Sequence, residues 1–172
     1  LDMKQLTEYR ISGYQTLDTK NLYPLVLERC THLTEGRAGY IIPISSMSTE
    51  GYLTLQKVLK QQDMWFSSFD DRPAHLFDGL DKNTLSIIIL GGAQAHPTLA
   101  SSGLNRWAAE ERSTLFALIH THSTPKSQLV GSLPRIGSRI EDSIWAKIFN
   151  TGQKISLAFT EQGETVYYSR KV

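Results

Sequence analysis

Apolar and polar positions change their period several times along the chain. Leu22, Val26, Cys30 and Leu33 recur at helical spacing, with Tyr23 and Leu27 beside them. "NLYPLVLERCTHL" therefore predicts a helix. Pro24 is tolerated only in a first turn, so that helix should start near Lys20 or Asn21, and "EGR" ends it. "AGYIIPI", Ala38–Ile44, is a short run rich in β-branched residues and bounded by Gly36 and Pro43. It predicts a buried strand, expected to be parallel because helices flank it. "STEGYLTLQKVLKQQ" returns to helical spacing. Tyr52, Leu55, Val58 and Leu59 make its apolar face, Ser48 is placed as N-cap and Glu50 in the first turn. Two more apolar runs, Trp65–Phe69 and Leu85–Leu90, predict strands. Between them lie the residues Asp70 to Thr84, whereas a plain hairpin needs about two to five.

Beyond Gly91 and Gly92 the pattern turns polar as far as "LNRW". "AAEERSTLFALIH" predicts a helix, acidic at its start and apolar at Leu115, Phe116, Leu118 and Ile119. "STPKSQLVGSLPRIG" reads as loop. Ser138 and Glu141 form an S-x-x-E capping box before Ile140, Ile144 and Ile148. "QKISLAF" and "ETVYYSR" alternate as a hairpin around "TEQG". Residues 1–10 read as the end of a helix. The order helix–strand–helix–strand–strand matches the second half of a doubly wound sheet that ends in a strand pair.

Composition narrows the picture. The chain has 172 residues, enough for one domain or one domain with a small appendage. Its net charge of +1 sets up no global field for nucleic acid and leaves room for a local basic face. The single cysteine, Cys30, excludes an internal disulfide and a cysteine zinc cluster, and fits a reducing compartment. No apolar run approaches the roughly eighteen residues of a membrane span. The chain begins at Leu1 without methionine and ends inside an expected strand, so it reads as a piece of a longer protein. No G-x-G-x-x-G and no P-loop occurs. His120 and His122 form an H-x-H pair that could bind zinc. The further aspartate that a deubiquitinase-like metalloprotease motif requires does not follow them. The expectation is a pair of histidines at a helix end and no metal.

From Thr19 onward the chain resembles the adenine-N6 DNA methyltransferases of restriction-modification systems. The likeness rests on "TKNLYPLVLERCTHLTEGRAGYIIPISSMST", then "FDDRPAHLFDG", "LSIIIL" and "NRWAAEER", in that family's order and spacing. It extends more weakly into "PRIGSRIEDSIWAKI" and "TVYYSRKV". The resemblance implies an α/β fold: the second half of a methyltransferase-type, Rossmann-like sheet ending in an antiparallel strand pair, with a small α+β appendage. Residues 1–92 would be the C-terminal half of the catalytic core. Residues 93–172 would be a linker, helices and hairpin at the start of the target-recognition region.

In that family the loop joining the last two strands supplies an aromatic that faces the catalytic pocket. The matching position here is Phe77 in "LFDG". An adenine amino group cannot be reached inside a duplex, so the base is flipped out, and an aromatic face can replace its lost stacking neighbour. Arg72 and Lys82, which flank the loop, and Arg106 are the expected contacts to DNA phosphates. The acids Asp70, Asp71, Asp78 and Asp81 share the loop and would repel DNA. The family's cofactor motif and its (N/D)-P-P-(Y/F) catalytic loop do not occur, since every proline is isolated. No catalytic or cofactor-binding residue is therefore expected within the chain. The implied partners are double-stranded DNA and the N-terminal half of the core, in a bacterial cytoplasm. The implied parent cofactor is S-adenosylmethionine. The alternative is a non-catalytic DNA-contacting or interaction domain.

Overall fold

The computed structural model of the protein describes residues 8, 12–79, 84–93, 97–125 and 132–151. It divides into two compact units, Leu1–Asp142 and Ser143–Val172. The first is a mixed α/β unit. Helix α1 spans Leu22–Leu33, α2 Ser45–Ser48, α3 Leu53–Leu59 and α4 begins at Arg139 and runs to Asn150. The strands are β1 Ala38–Pro43, β2 Gln62–Phe69, β3 Leu85–Ala93, β4 Thr98–Asn105 and β5 His122–Pro125. They form one sheet in the order β1-β3-β2-β4-β5. The hairpin expected after residue 152 lies outside the described residues. The division expected at residues 92 and 93 falls between β3 and β4, two strands of that one sheet.

β3 runs antiparallel to both neighbours. It pairs with β1 from Ala38–Leu90 to Pro43–Leu85 and with β2 from Met64–Leu90 to Phe69–Leu85. β2 and β4 are parallel, and β4 and β5 antiparallel. Strands β1, β2 and β4 therefore share one direction. Their carboxyl ends, Pro43, Phe69 and Asn105, lie at one end of the sheet. The parallel partner expected for Ala38–Ile44 is replaced by antiparallel β3. Flanking helices do not fix the direction of the strand that intervenes between β1 and β2.

Alternation decides which side chains enter the core. Tyr40 and Ile42 of β1, Ile88 and Leu90 of β3, Met64 and Phe66 of β2 and Leu99 of β4 share one face. They pack with Leu27 of α1, Met47 of α2, Leu55 and Leu59 of α3, and Leu133. Phe66, Ile88, Leu55, Leu59 and Leu99 are fully buried. Each contributes roughly 1.5–3 kcal/mol by leaving water.

α1 is rotated from its expected orientation. Leu25 and Leu27 are buried, whereas Leu22, Val26 and Leu33 are 56%, 51% and 64% exposed. The sequence stripe is real but faces away from this core. Ile41 and Ile89, on the sheet face away from the core, are also exposed. The helix expected from Ser48 is replaced by a 3-10 turn at Glu50–Tyr52 followed by α3, and the short α2 ends where it was expected to begin. Ser48 ends α2 rather than capping a helix, and Gln56 holds the break by donating to the Ser46 carbonyl at 3.0 Å. "AAEERSTLFALIH" forms two 3-10 turns, Ala109–Glu111 and Leu115–Leu118. Thr114 Oγ1 donates to the Glu111 carbonyl at 3.1 Å, the local competition that makes Ser and Thr poor in helix interiors. β4 and β5 arise where only polar loop was expected. Their small polar residues carry a weak strand signal, and pairing with β2 supplies the rest.

Ser138 caps α4: its Oγ accepts from the Glu141 amide at 3.2 Å, and Glu141 accepts from the Gly137 amide at 2.7 Å. Gly137 sits so close to β4 that a Cβ there would lie 2.6 Å from the Gly103 nitrogen. Glu28 of α1 is 1% exposed. Its carboxylate accepts from the Gln15 amide at 2.9 Å, the Thr16 amide at 2.9 Å and Thr16 Oγ1 at 2.7 Å. This stitches the 3-10 turn Gln15–Thr19 to α1. Glu28→Ala leaves two amides and a buried hydroxyl without that acceptor and is expected to cost about 3 kcal/mol. The melting temperature should fall by roughly 6–12 °C. Glu28→Gln, which keeps an acceptor oxygen, should lose less than half of that. Thermal unfolding followed by circular dichroism checks both, and an alanine variant within a degree or two of the parent contradicts the assignment.

Candidate nucleic-acid interface at the carboxyl end of the sheet

Segments 44–52, 70–84 and 106–121 leave the sheet at or beside the carboxyl ends of β1, β2 and β4. In open α/β sheets this is the end at which ligands bind. The site is built on an irregularity. The β2–β4 register moves from Phe66–Ser101 to Ser68–Leu104, so β4 carries one extra residue. Asn105 closes the gap. Its Nδ2 lies 2.8 Å from Ser67 Oγ, 2.9 Å from the Ser68 carbonyl and 3.0 Å from Ser102 Oγ. Ser67 and Ser102 share a 2.7 Å hydrogen bond, and Ser68 and Ser86 one of 2.9 Å. Five buried serines on three strands thus stay satisfied, with Ser101 bonded to both the amide and the carbonyl of Ile136 at 2.9 Å.

A second small core forms here on the outer sheet face. Phe69, Trp107 and Leu115 are buried together, with Ala74, Leu76, Ile87 and Ile119 packed against them. Phe69 meets Trp107 edge-on, with centroids 5.8 Å apart and planes at 84°. Ala74 and Leu76 belong to the long loop, so its middle is docked. The loop is also held by charge. Arg106 Nε donates to Asp70 Oδ2 at 2.6 Å. Arg112 Nη1 donates to Asp78 Oδ1 at 2.9 Å and its Nη2 to the Leu76 carbonyl at 2.8 Å. The Asp70 amide donates to the Asn105 carbonyl at 3.0 Å. Between the two Arg112 contacts stands Phe77. It belongs to neither core and keeps 37% of its surface exposed.

The expected phosphate contacts separate. Arg72 is exposed in the loop. Arg106 has its Nε committed to Asp70 while its side chain is 68% exposed. Lys82 and Asp81 lie outside the described residues. Two of the acids expected to repel DNA, Asp70 and Asp78, are each matched by an arginine. Sequence reading assigned these groups to solvent or to DNA and missed their pairing. Asn105, Arg106, Trp107, Glu111, Leu115 and Leu118 line a cleft of about 120 Å3 beside the loop base.

The histidine pair resolves differently from either expectation. His122 lies on β5, with Nε2 3.2 Å from Asp142 Oδ2, and Asp142 also accepts from Thr124 Oγ1 at 3.0 Å. Among the described residues no group of three His, Cys, Asp or Glu side chains could hold a metal. A cradle for S-adenosylmethionine does not fit the turn after β1. Its first residues, Ile44 to Ser48, contain neither glycine nor an acid and close at once into α2, with Glu50 and Gly51 following only in the 3-10 turn; Met47 within α2 is 1% exposed, and the Ser46 hydroxyl donates to the Pro43 carbonyl. Near it, burial raises the Tyr23 phenol well above its ordinary value, and the adjacent Tyr52, with ring centroids 5.5 Å away, adds to the shift.

The chain matches no protein-family model, and no curated protein is similar to it. No helix among the described residues is long and apolar enough to cross a membrane.

The hydrogen bond from Arg106 holds the Asp70 carboxyl below its ordinary pKa, with the Asp71 amide assisting against partial burial. A depressed carboxyl contributes stability that is fully present above the unfolded-state value, about 3.9. That stability is lost as pH falls through the lower folded value. Arg106→Ala is therefore expected to melt about 1–3 °C below the parent from neutral pH to about pH 5. The gap should close as Asp70 protonates at lower pH. Melting curves of both proteins over this range check it, and a gap that persists when Asp70 is protonated contradicts the pairing.

Proposed function

We propose that the chain is the distal half of the catalytic core of a site-specific adenine-N6 DNA methyltransferase of a restriction-modification type, acting in a bacterial cytoplasm. In the parent protein a methyl group passes from S-adenosylmethionine to the amino group of a flipped adenine. The observation that carries the reading is the placement of β3. It is a reversed strand seated between two strands of common direction, which supports the reading because a strand pair of this kind is what sets the family's sheet apart from a plain dinucleotide-binding fold. The long loop that this pair creates stands at the ligand-binding end of the sheet and bears an exposed aromatic, Phe77.

Further support comes from the opposite side of the sheet. Among the described residues β1 pairs on one edge only, with β3. Leu22, Val26 and Leu33 on α1 and Ile41 on β1 are left exposed. Exposed apolar residues on α1 and an edge of β1 with no partner among the described residues suit a further strand and helix, which the N-terminal half of the core would supply. That half would also hold S-adenosylmethionine and the catalytic tetrad, and double-stranded DNA would lie across Phe77, Arg72 and Arg106. The chain alone is accordingly expected to give no saturable heat with S-adenosylmethionine in a calorimetric titration, and micromolar binding contradicts this division of labour.

Phe77 gives the direct test. Stacking on a flipped base contributes about 1–3 kcal/mol, so Phe77→Ala in the full-length protein should lower target binding or rate roughly 5- to 150-fold. Phe77→Tyr and Phe77→Trp retain a π-face and should keep most of the activity. A fluorescent base analogue at the target position brightens when flipped, and its signal should respond to the alanine change. If Phe77 only packs against the protein, the melting temperature falls while activity per folded molecule is unchanged.

A further inference from the structure

We infer that Arg112 is the positioning residue of the Phe77 loop. This rests on the base-stacking role proposed for Phe77 and adds the part that aims it. The guanidinium reaches across from the segment after β4 and bonds the residues immediately before and after the aromatic: the Leu76 carbonyl at 2.8 Å and the Asp78 carboxylate at 2.9 Å. A planar fork with two donor nitrogens suits this bracket; a lysine ammonium does not supply the same fixed geometry. Leu76 is drawn into the Phe69–Trp107–Leu115 cluster. With both neighbours of Phe77 fixed, the aromatic in the middle keeps few backbone orientations.

The bracket is a latch more than a brace. The Arg112 and Asp78 side chains are 47% and 94% exposed, so the ion pair is open to screening by salt. Overall stability therefore depends on it little, while the local orientation of residues 76–78 depends on it strongly. The neighbouring pair Arg106–Asp70 fixes the root of the loop, not its aromatic.

Chymotrypsin digestion of the whole chain, with cleavage after Phe77 followed by mass spectrometry, reads the latch without reference to catalysis. Arg112→Ala should raise cleavage at that bond about 3- to 10-fold with the melting temperature unchanged. Arg112→Lys should restore little, and Asp78→Asn, which leaves the Leu76 bond in place, should show a smaller rise. High salt should speed cleavage of the parent and leave Arg112→Ala unaffected. Cleavage of a folded Arg112→Ala at the parent rate overturns the inference. If that variant melts early and is cut faster at every site alike, Asp78→Asn decides, and parent-like cleavage there overturns it equally. In the full-length protein Arg112→Ala should lower kcat with little change in the KM for DNA and dim the base-analogue signal. A full-length protein that transfers no methyl group to DNA would sink the methyltransferase reading and leave the latch standing on its proteolysis result.

Discussion

The double pairing of β3 is the constraint on which the other features depend. Its backbone bonds β1 on one side and β2 on the other, both antiparallel. One strand thereby sets two others in the same direction without a crossover between β2 and β3. The register places Ile88 and Leu90 opposite Tyr40, Phe66 and Met64, on the face that α1 and α3 cover. A slip of one residue would move that whole set to the opposite face, so burial of Phe66 and Ile88 specifies the pairing as firmly as the hydrogen bonds do. The connection from β2 to β3 then has to emerge at the carboxyl end of the sheet, where the candidate site lies.

Electrostatics at that end are local and nearly self-cancelling. Asp70 and Asp78 occupy Arg106 and Arg112, and both pairs add to an apolar anchorage that, among the described residues of the loop, consists of Ala74 and Leu76. Surface ion pairs contribute little to overall stability. Their value here is geometric: they hold the root and the crest of a loop whose central aromatic has no core of its own. The balance also fits the small net charge of the chain, +1, which sets up no global field to draw DNA from a distance. Under the proposed function, DNA would be gathered largely by other parts of the parent protein.

Much of the fold was legible in the residues. α1 begins within a residue of where Pro24 required, β2 and β3 contain the two apolar runs, and Ser138 caps α4. What escaped was set by tertiary context. The direction of β1 depends on a strand more than forty residues later. The sequence stripe on α1 marks an apolar face but not what covers it. β4 is built from Ser, Gly and Ala, whose strand character comes from the serine and Asn105 bonds to β2. The long connection between β2 and β3 was legible too, with Phe77 exposed within it. The partners of Asp70, Asp78 and His122 were not, because charge pairing across tens of residues leaves no local pattern.

The proposed reaction has a single modified base as its product. Duplex DNA incubated with the full-length protein and S-adenosylmethionine can be digested to nucleosides and analysed by mass spectrometry. The expected product is N6-methyladenine, confined to particular sites, with cytosine unmodified. Folded full-length protein that leaves every adenine unmethylated, or that methylates cytosine instead, would contradict it.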